Sequence, residues 1–355
     1  MPSKKLLSTL LAASILTFSF TSESCTVWGV IKPEEILIAK NRDFYPGNQK
    51  FITVDNKGKY KFFGLYGDSQ FDNIYRIKMG INEKGLVVFM TFASTIPLSQ
   101  RKAEIEYYEV MEKILGDYNN VKDVHKNAHD LFLNTTPINY IFADRNNVLK
   151  CEIGLENNYQ CKIYSRNEKE HRVDFSQTNH YLFKDLQKYN LTPYIDQQSS
   201  YMRLEKINSL LKNSDHSINL EKMIELSFNT EANNDSPPAS FDEGFDNTYQ
   251  DNSIFRTFES HPDRKNPKQK NSSRNVSTMI VVLPKDETQL IYMYLRKIES
   301  VKNEDDEDYT QLVKYYDSYD SLEVAMNYPT AIKYYHHTCV RKKDSKTCVT
   351  EYPKK

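Results

Sequence analysis

Short apolar runs separated by turn residues dominate the pattern of this chain. From residue 25 the sequence reads CTVWGVI, passes the turn Lys32-Pro33-Glu34-Glu35, and continues ILIAKNRDF, two β-rich runs that predict a hairpin whose first residue is Cys25. FITV at 51–54, KYKFFGLY at 59–66 and YRIKMGI at 75–81 predict further strands, and KGLVVFMTF at 84–92 is apolar enough to be buried on both faces, which implies a sheet with a covered back. Helical spacing follows at 103–118, with Ile105, Tyr108, Met111, Ile114 and Leu115 along one face, and at 121–134 after the break at Asn119 and Asn120. INYIFAD and VLKCEIG around Arg145-Asn146-Asn147 predict a second hairpin. Residues 201–229 read as helical with a break at 213–217, and MIVVLP with QLIYMYL predict a third hairpin around Lys285-Asp286-Glu287. Strands, helices, strands, helices, strands in that order suit layered α+β packing rather than a doubly wound sheet.

Two stretches break the pattern. Residues 231–275, rich in Asn, Asp, Ser, Pro and Lys, and the acidic turn at 303–308 read as solvated insertions. The tyrosine-rich tail at 309–335 is expected to form helices packed outside the core. No internal repeat and no dinucleotide-type glycine pattern occurs.

The first 24 residues carry Lys4 and Lys5, the apolar stretch LLSTLLAASILTF and the small residues Ser22 and Ser24, the three regions of a secretory signal peptide. The apolar run is short for a bilayer span. Cleavage after Ser24 exposes Cys25 with a free α-amino group beside its thiol. A lipoprotein site is the alternative, but Ser22 and Glu23 stand where such sites carry an aliphatic and a small neutral residue. The expected organisation is therefore a signal peptide at 1–24, a catalytic domain at 25–300 with an irregular insertion at 231–275, and an extension at 301–355 packed on that domain. The expected localisation is export to the periplasm or beyond, with no stable membrane insertion after cleavage.

Removing 24 of 355 residues leaves 331, enough for one large core. Taking away Lys4, Lys5 and Glu23 leaves 45 basic against 47 acidic residues, a net of −2, and no basic stripe points to nucleic acid. Besides Cys25, the cysteines are Cys151, Cys161, Cys339 and Cys348, an even set able to pair in an oxidising compartment. Three connectivities exist; Cys151 with Cys161 and Cys339 with Cys348 closes the shortest loops. Neither a CxxC pair nor an HExxH run suggests a metal, and His336-His337 reads as solvent-exposed rather than ligating. No metal or organic cofactor is expected.

An N-terminal cysteine couples two chemistries in one residue. A thiol with a pKa of about 8.5 needs a base, and a terminal amine titrates at about 7.7–8.0. The amine, directly or through a water, takes the thiol proton, and the thiolate attacks a carbonyl to form an acyl-enzyme.

Four blocks carry a family resemblance. Cys25-Thr26 with Ala39-Lys40-Asn41-Arg42-Asp43 resembles a mature Cys-Thr start followed by a strand ending in Gly-Arg-Asn-x-Asp. Gly80-Ile81-Asn82-Glu83-Lys84-Gly85-Leu86 resembles a Gly-x-Asn-Glu-Lys-Gly-Leu run, Gln177-Thr178-Asn179-His180-Tyr181 a Thr-Asn turn, and Ser199-Ser200-Tyr201-Met202-Arg203 a Ser-x-x-Arg segment. These are similar to the N-terminal-nucleophile hydrolases of the choloylglycine hydrolase, penicillin V acylase and isopenicillin N acyltransferase group, over roughly residues 25–295. The resemblance implies an αββα sandwich, two antiparallel sheets between helix layers. It implies Cys25 as nucleophile, Asp43 as the carboxylate that holds the amine, and Asn179 as an oxyanion donor. Arg203 orders the surrounding network in this reading. Lys40 stands where bile salt hydrolases carry an arginine, so the cation near sulfur is Lys40 or, in another strand register, Arg42. Those enzymes also place an asparagine after the Gly80–Leu86 block, where this chain has Met90-Thr91-Phe92; Thr91 contributes a hydroxyl or only its backbone N–H. Asn82 reads as a turn residue beside Gly85.

The expected function is hydrolysis of a linear, non-peptide amide of a small N-acyl substrate, bile-salt-like or penicillin V-like. Transfer to an amine acceptor is the close variant. A non-catalytic surface lipoprotein or binding module lipidated at Cys25 is the rival from another class, and a dipeptidase is a third, which the Gly80–Leu86 block disfavours. A homo-oligomer stays open.

Overall fold

The computed structural model describes residues 24–44, 49–55, 57–67, 74–101, 103–166, 171–214, 218–227, 229, 274–289, 291–300, 313–315, 330–333, 336–342 and 345–351. Residues 1–23, the bulk of the 231–275 insertion and the acidic turn at 303–308 lie outside the described residues.

One sheet joins β1 (Ser24–Ile31), β2 (Glu35–Phe44), β10 (Val173–Gln177), β11 (Arg274–Pro284) and β12 (Ile291–Ser300), in the order β10-β1-β2-β11-β12. The other runs in sequence order through β3 (Gln49–Val54), β4 (Phe62–Gly67), β5 (Arg76–Asn82), β6 (Val87–Phe92), β7 (Ile138–Ala143), β8 (Asn147–Ile153) and β9 (Tyr159–Ser165). Neighbours in both sequences pair antiparallel. The helices are α1 (Tyr107–Asp117), α2 (Val121–Lys126), α3 (Ala128–Phe132), α4 (Tyr194–Asn213) and α5 (Leu220–Ser227).

Strand alternation sorts the apolar side chains into three buried layers. Val27, Ile36, Ile38, Met279 and Val281 of the first sheet meet Phe63, Leu65, Met79, Ile81, Phe89 and Ile141 of the second. The outer face of the second sheet packs Val88, Tyr140, Phe142 and Leu149 on Met111, Ile114 and Leu115 of α1 and on Val121, Val124, Leu131 and Phe132 of α2 and α3. The outer face of the first sheet packs Trp28, Val30, Leu37, Ala39, Ile280 and Val282 on Ile207 and Leu211 of α4 and Met223, Ile224 and Leu226 of α5. Helix, sheet, sheet, helix is the αββα sandwich.

Local chemistry sets the element ends. A capping box joins Glu106 and Glu109 at the start of α1, and the Asn120 side chain accepts the Asp123 N–H to start α2. The β5–β6 turn is tied by Asn82: its Oδ1 accepts the Lys84 and Leu86 N–H groups, and its Nδ2 donates to the carbonyls of Leu115 and Tyr118. Gly85 sits there at φ +83°, where a side chain is strained. Asn82 is therefore the turn residue its sequence context implied.

Several expectations are corrected. The helical stretch at 121–134 divides into two helices at Asn127, which caps the first. Strands β9 and β10 carry no strong sequence signal; β9 lies at the sheet edge with half-buried residues. The tail contains strands where helices were expected, namely β13 (Val313–Tyr315) and β14 (Thr330–Lys333), followed by β15 (His336–Lys342) and β16 (Ser345–Glu351). β14 runs parallel to β12, an exception to the antiparallel pattern, and β13, β15 and β16 continue the first sheet. A disulfide joins Cys151 to Cys161 across β8 and β9, and Cys339 faces Cys348 in the β15–β16 register.

Candidate active site

Cys25 is the second residue of β1, fully buried, and opposite Arg42 of β2. Residues directly opposite share a face, so the thiol, Arg42, and the next pair Val27 and Lys40 all project into the space between the sheets. Ser24, Thr26, Asn41 and Asp43 take the other face, toward the α4–α5 layer. There the Asn41 amide donates to the Ser227 carbonyl of α5, the Thr278 hydroxyl donates to Asn41, and the Asn275 amide donates to Asp43 Oδ1 at 3.1 Å. Asp43 thus does not share the thiol's face. It stands opposite Ser24, beside the peptide that joins Ser24 to Cys25.

Asn179 and Arg203 meet Cys25 directly. Asn179 Oδ1 accepts the Cys25 N–H at 2.8 Å and Arg203 Nη2 at 2.9 Å. Since a guanidinium only donates, the oxygen end of the amide is fixed by its partners. Asn179 Nδ2 donates to the Phe92 carbonyl at 3.1 Å. Arg203 Nη1 donates to the Cys25 carbonyl at 2.6 Å and to Thr26 Oγ1 at 2.7 Å, and Nε reaches Ser199 Oγ at 3.4 Å. Helical spacing explains the reach: Ser200, Arg203, Ile207 and Leu211 fall on one face of α4, so the residues that anchor the helix in the core also aim Arg203 at β1.

The two candidate cations are both buried and both reach the second sheet. Arg42 Nη1 donates to Gln49 Oε1 at 3.0 Å of β3, and its guanidinium lies 4.6 Å from the centre of the Phe44 ring. Lys40 Nζ donates to the Lys78 carbonyl at 2.7 Å. Lys78 is the extra residue of a β-bulge, because Leu65 pairs with Met79 whereas Tyr66 pairs with Ile77. The bulge sends Ile77 to the helix side and Met79 to the space between the sheets, and leaves the Lys78 carbonyl outside the regular ladder, where it accepts Lys40. The Lys78 amine donates to Tyr107 Oη at 2.6 Å. Arg42 faces the thiol directly across the ladder and Lys40 diagonally.

Thr91, expected to contribute a hydroxyl or only its backbone N–H, lies on β6. Its hydroxyl donates to the Thr178 carbonyl at 2.6 Å, which commits its proton one residue short of Asn179.

Sequence reasoning missed the buried cluster beside Asn179. His180 Nδ1 lies 2.8 Å from Ser200 Oγ and 3.2 Å from Thr178 Oγ1, and the ring stacks on Tyr201 with centres 3.9 Å apart. Burial, with the charges of Arg203 and Lys150 added, pushes the imidazole down to about 3 from its ordinary 6.5. A neutral ring accepting at Nδ1 completes one chain: Asn179 N–H to Ser200 Oγ, Ser200 O–H to Thr178 Oγ1, Thr178 O–H to His180. Further along, Glu152 accepts the N–H groups of Leu182 and Phe183 and lies 3.5 Å from Lys150 Nζ. Burial raises the Glu152 carboxyl and lowers the Lys150 amine, each opposed by the partner charge. Its members lie in the two short blocks Gln177–Tyr181 and Ser199–Arg203, but residue order gave no sign that the two blocks touch.

Among the described residues no group of three or more His, Cys, Asp or Glu could hold a metal ion, and no helix is long and apolar enough to cross a membrane. Two crystal structures of variants of the conjugated bile acid hydrolase from Clostridium perfringens match at 14% identity, covering 76% of this chain and 92% and 91% of theirs, with TM-scores of 0.43 and 0.40. No match is found among curated protein sequences. The family model for acyl-coenzyme A:6-aminopenicillanic acid acyl-transferase matches residues 30–261, more than half of the chain, beginning five residues after Cys25. With that match in hand, the chain belongs to the acyl-coenzyme A:6-aminopenicillanic acid acyl-transferase family.

Proposed function

We propose that this protein is exported, is cut after Ser24, and hydrolyses a linear, non-peptide amide of a small N-acyl substrate with Cys25 as nucleophile. The observation that carries the reading is the convergence on Asn179 Oδ1 of the Cys25 nitrogen and the Arg203 guanidinium. It ties the nucleophile's own nitrogen to the side chain whose amide is the oxyanion donor. Export is supported by the leader-like composition of residues 1–24 and by the Cys151–Cys161 disulfide, which suits an oxidising compartment. The proposed organisation keeps the catalytic domain at 25–300, with its insertion at 231–275, and the extension at 301–355.

The steps use residues already described. Cleavage removes Ser24 from the ladder and leaves the new amine beside Asp43, whose carboxylate stabilises the ammonium that forms. The amine takes the thiol proton and the thiolate adds to the substrate carbonyl. An amide nitrogen carries two hydrogens; Asn179 Nδ2 gives one to Phe92 O and the other to the developing oxyanion. Collapse expels the leaving amine, which takes the proton from the ammonium, and leaves a thioester at Cys25. Water then hydrolyses that thioester by the same proton path in reverse, releasing the acid and restoring the thiol. Arg203 holds the Cys25 carbonyl and Thr26 Oγ1, so the nucleophile's backbone does not shift during attack. Lys40 and Arg42 favour the thiolate by charge from the same face.

Attack on the thioester by an amine instead of water gives acyl transfer, which the family match keeps as the second reading. The test is a panel of bile salt conjugates, phenoxyacetyl amides, and N-acyl amino acids or lactones, assayed for released amine, with the mass of the N-terminal peptide measured on the same sample. A diacylglyceryl group on Cys25 would turn the assignment to a lipid-anchored binding module.

A further inference from the structure

The Thr178 carbonyl is an unusually crowded acceptor. Thr91 Oγ1 donates to it at 2.6 Å, Gln177 Nε2 at 3.2 Å and Asn139 Nδ2 at 3.4 Å. On the other side of the same peptide, the Asn179 N–H donates to Ser200 Oγ at 2.8 Å. The next carbonyl, Asn179 O, accepts the Ser94 N–H at 2.9 Å. The peptide carrying Asn179 is therefore held at its oxygen, at its nitrogen and at the following oxygen.

Asn139 makes the arrangement costly. It is fully buried on β7, and alternation from Ile138, Tyr140 and Phe142, which face the helix layer, turns it into the space between the sheets. Its partners directly across the ladder are Thr91 of β6 and Glu152 of β8, and its Oδ1 has no hydrogen-bond partner. Leaving a buried acceptor unmade costs about 1–3 kcal/mol. An aliphatic side chain would fill the position without that penalty. What the asparagine supplies is its Nδ2, which donates to Thr91 Oγ1 at 3.2 Å and to the Thr178 carbonyl. The first bond occupies a lone pair of the Thr91 hydroxyl and turns that hydroxyl's proton toward Thr178.

Resting on the nucleophile reading above, we infer that Thr91 and Asn139 are positioning residues that act through the Thr178 carbonyl to hold Asn179 against the Cys25 nitrogen, and that Thr91 is not itself an oxyanion donor. Their effect on chemistry runs entirely through Asn179. Loosening the clamp lets the Thr178–Asn179 peptide turn, and Asn179 Oδ1 then leaves the Cys25 amine that activates the thiol.

The test needs no identified substrate. The rate at which iodoacetamide alkylates Cys25 is followed against pH by peptide mass mapping in the cleaved protein, its Thr91→Val, Thr91→Ser and Asn139→Leu variants, and the pair Asn179→Ala and Thr91→Val plus Asn179→Ala. Valine keeps the shape of threonine and removes only the hydroxyl, so the fold is preserved and is checked by thermal unfolding. The expected result is a rate at neutral pH lowered about 5- to 10-fold in Thr91→Val and Asn139→Leu, the size of coupling carried by about 1–1.4 kcal/mol. The pH midpoint moves upward in both, Thr91→Ser recovers most of the rate, and Thr91→Val has no further effect once Asn179 is alanine. Unchanged rates and midpoints in Thr91→Val and Asn139→Leu would overturn the inference, as would an equal loss from Thr91→Val with and without Asn179. An unmodified Cys25 no more reactive than free cysteine would count against the nucleophile reading itself and would take this inference with it.

Discussion

Arg203→Lys separates the guanidinium's geometry from its charge. The guanidinium uses Nη1 for the Cys25 carbonyl and Thr26 Oγ1 and Nη2 for Asn179 Oδ1, three acceptors held by two nitrogens at 2.6–2.9 Å. A lysine keeps the charge and its burial cost, but its single nitrogen on a shorter reach gives up at least one of these bonds. Charge-assisted bonds contribute about 1.5–3 kcal/mol each, so Arg203→Lys should lower stability by about 1.5–3 kcal/mol. With one nitrogen shared among three acceptors, Asn179 Oδ1 is held less firmly beside Cys25, so turnover should also fall, by less than the roughly 10²- to 10³-fold that follows removal of an oxyanion donor. Urea unfolding reads the first effect, and the single tryptophan is a suitable probe because Trp28 is fully buried on β1 against the α4 side chains Ile207 and Leu211. Amine release reads the second. An Arg203→Lys protein that unfolds within about 0.5 kcal/mol of the unaltered protein and turns over at the same rate would refute the account of this network.

His180 makes stability depend on acid. The folded imidazole resists protonation down to about 3 while the unfolded one takes a proton near 6.5, so between these values the unfolded state binds more protons and stability falls as pH falls. By pH 5 the loss from this group is about 2 kcal/mol, and it should be absent from His180→Gln, so that the stability difference between the two proteins, measured by urea unfolding, changes by about that amount between pH 7 and pH 5. An equal pH dependence in both proteins would count against a buried neutral imidazole. Reducing Cys151–Cys161, whose cysteines are 10 residues apart, should cost about 3 kcal/mol with turnover unchanged, since it closes β8 on β9 away from Cys25. Asn179→Ala should raise the barrier by about 2.7–4 kcal/mol, read as a fall in kcat with little change in substrate binding.

The parts legible in the sequence are those that rest on local periodicity and turn chemistry. The Cys25 hairpin, the Asn82–Gly85 turn and the two later hairpins follow from alternation and from Asn, Gly and Pro at fixed places. Strand β9 was not legible because it lies at the sheet edge with half-buried residues, and β10 because it pairs with β1 across more than a hundred residues. The tail misled because enrichment in tyrosine suits a strand as well as a helix, and pairing with β12 decides the matter for β14. Within the site, the pairing of Cys25 with Arg42 and of Val27 with Lys40 is a property of register that residue order alone left open between two cations. Lys78 needs a bulge to turn its carbonyl toward Lys40, and Asn139 needs a neighbouring strand to bring it to Thr178; neither has a local signature.

The most direct test of the central claim is the rate of amine release by Cys25→Ser, purified, folded and correctly cleaved, on the best amide of the panel. The exchange removes little volume, but the hydroxyl's far higher pKa leaves the modest amine base unable to activate it, so the account predicts a fall of orders of magnitude. A Cys25→Ser protein that released amine at the unaltered rate would contradict the N-terminal-nucleophile mechanism.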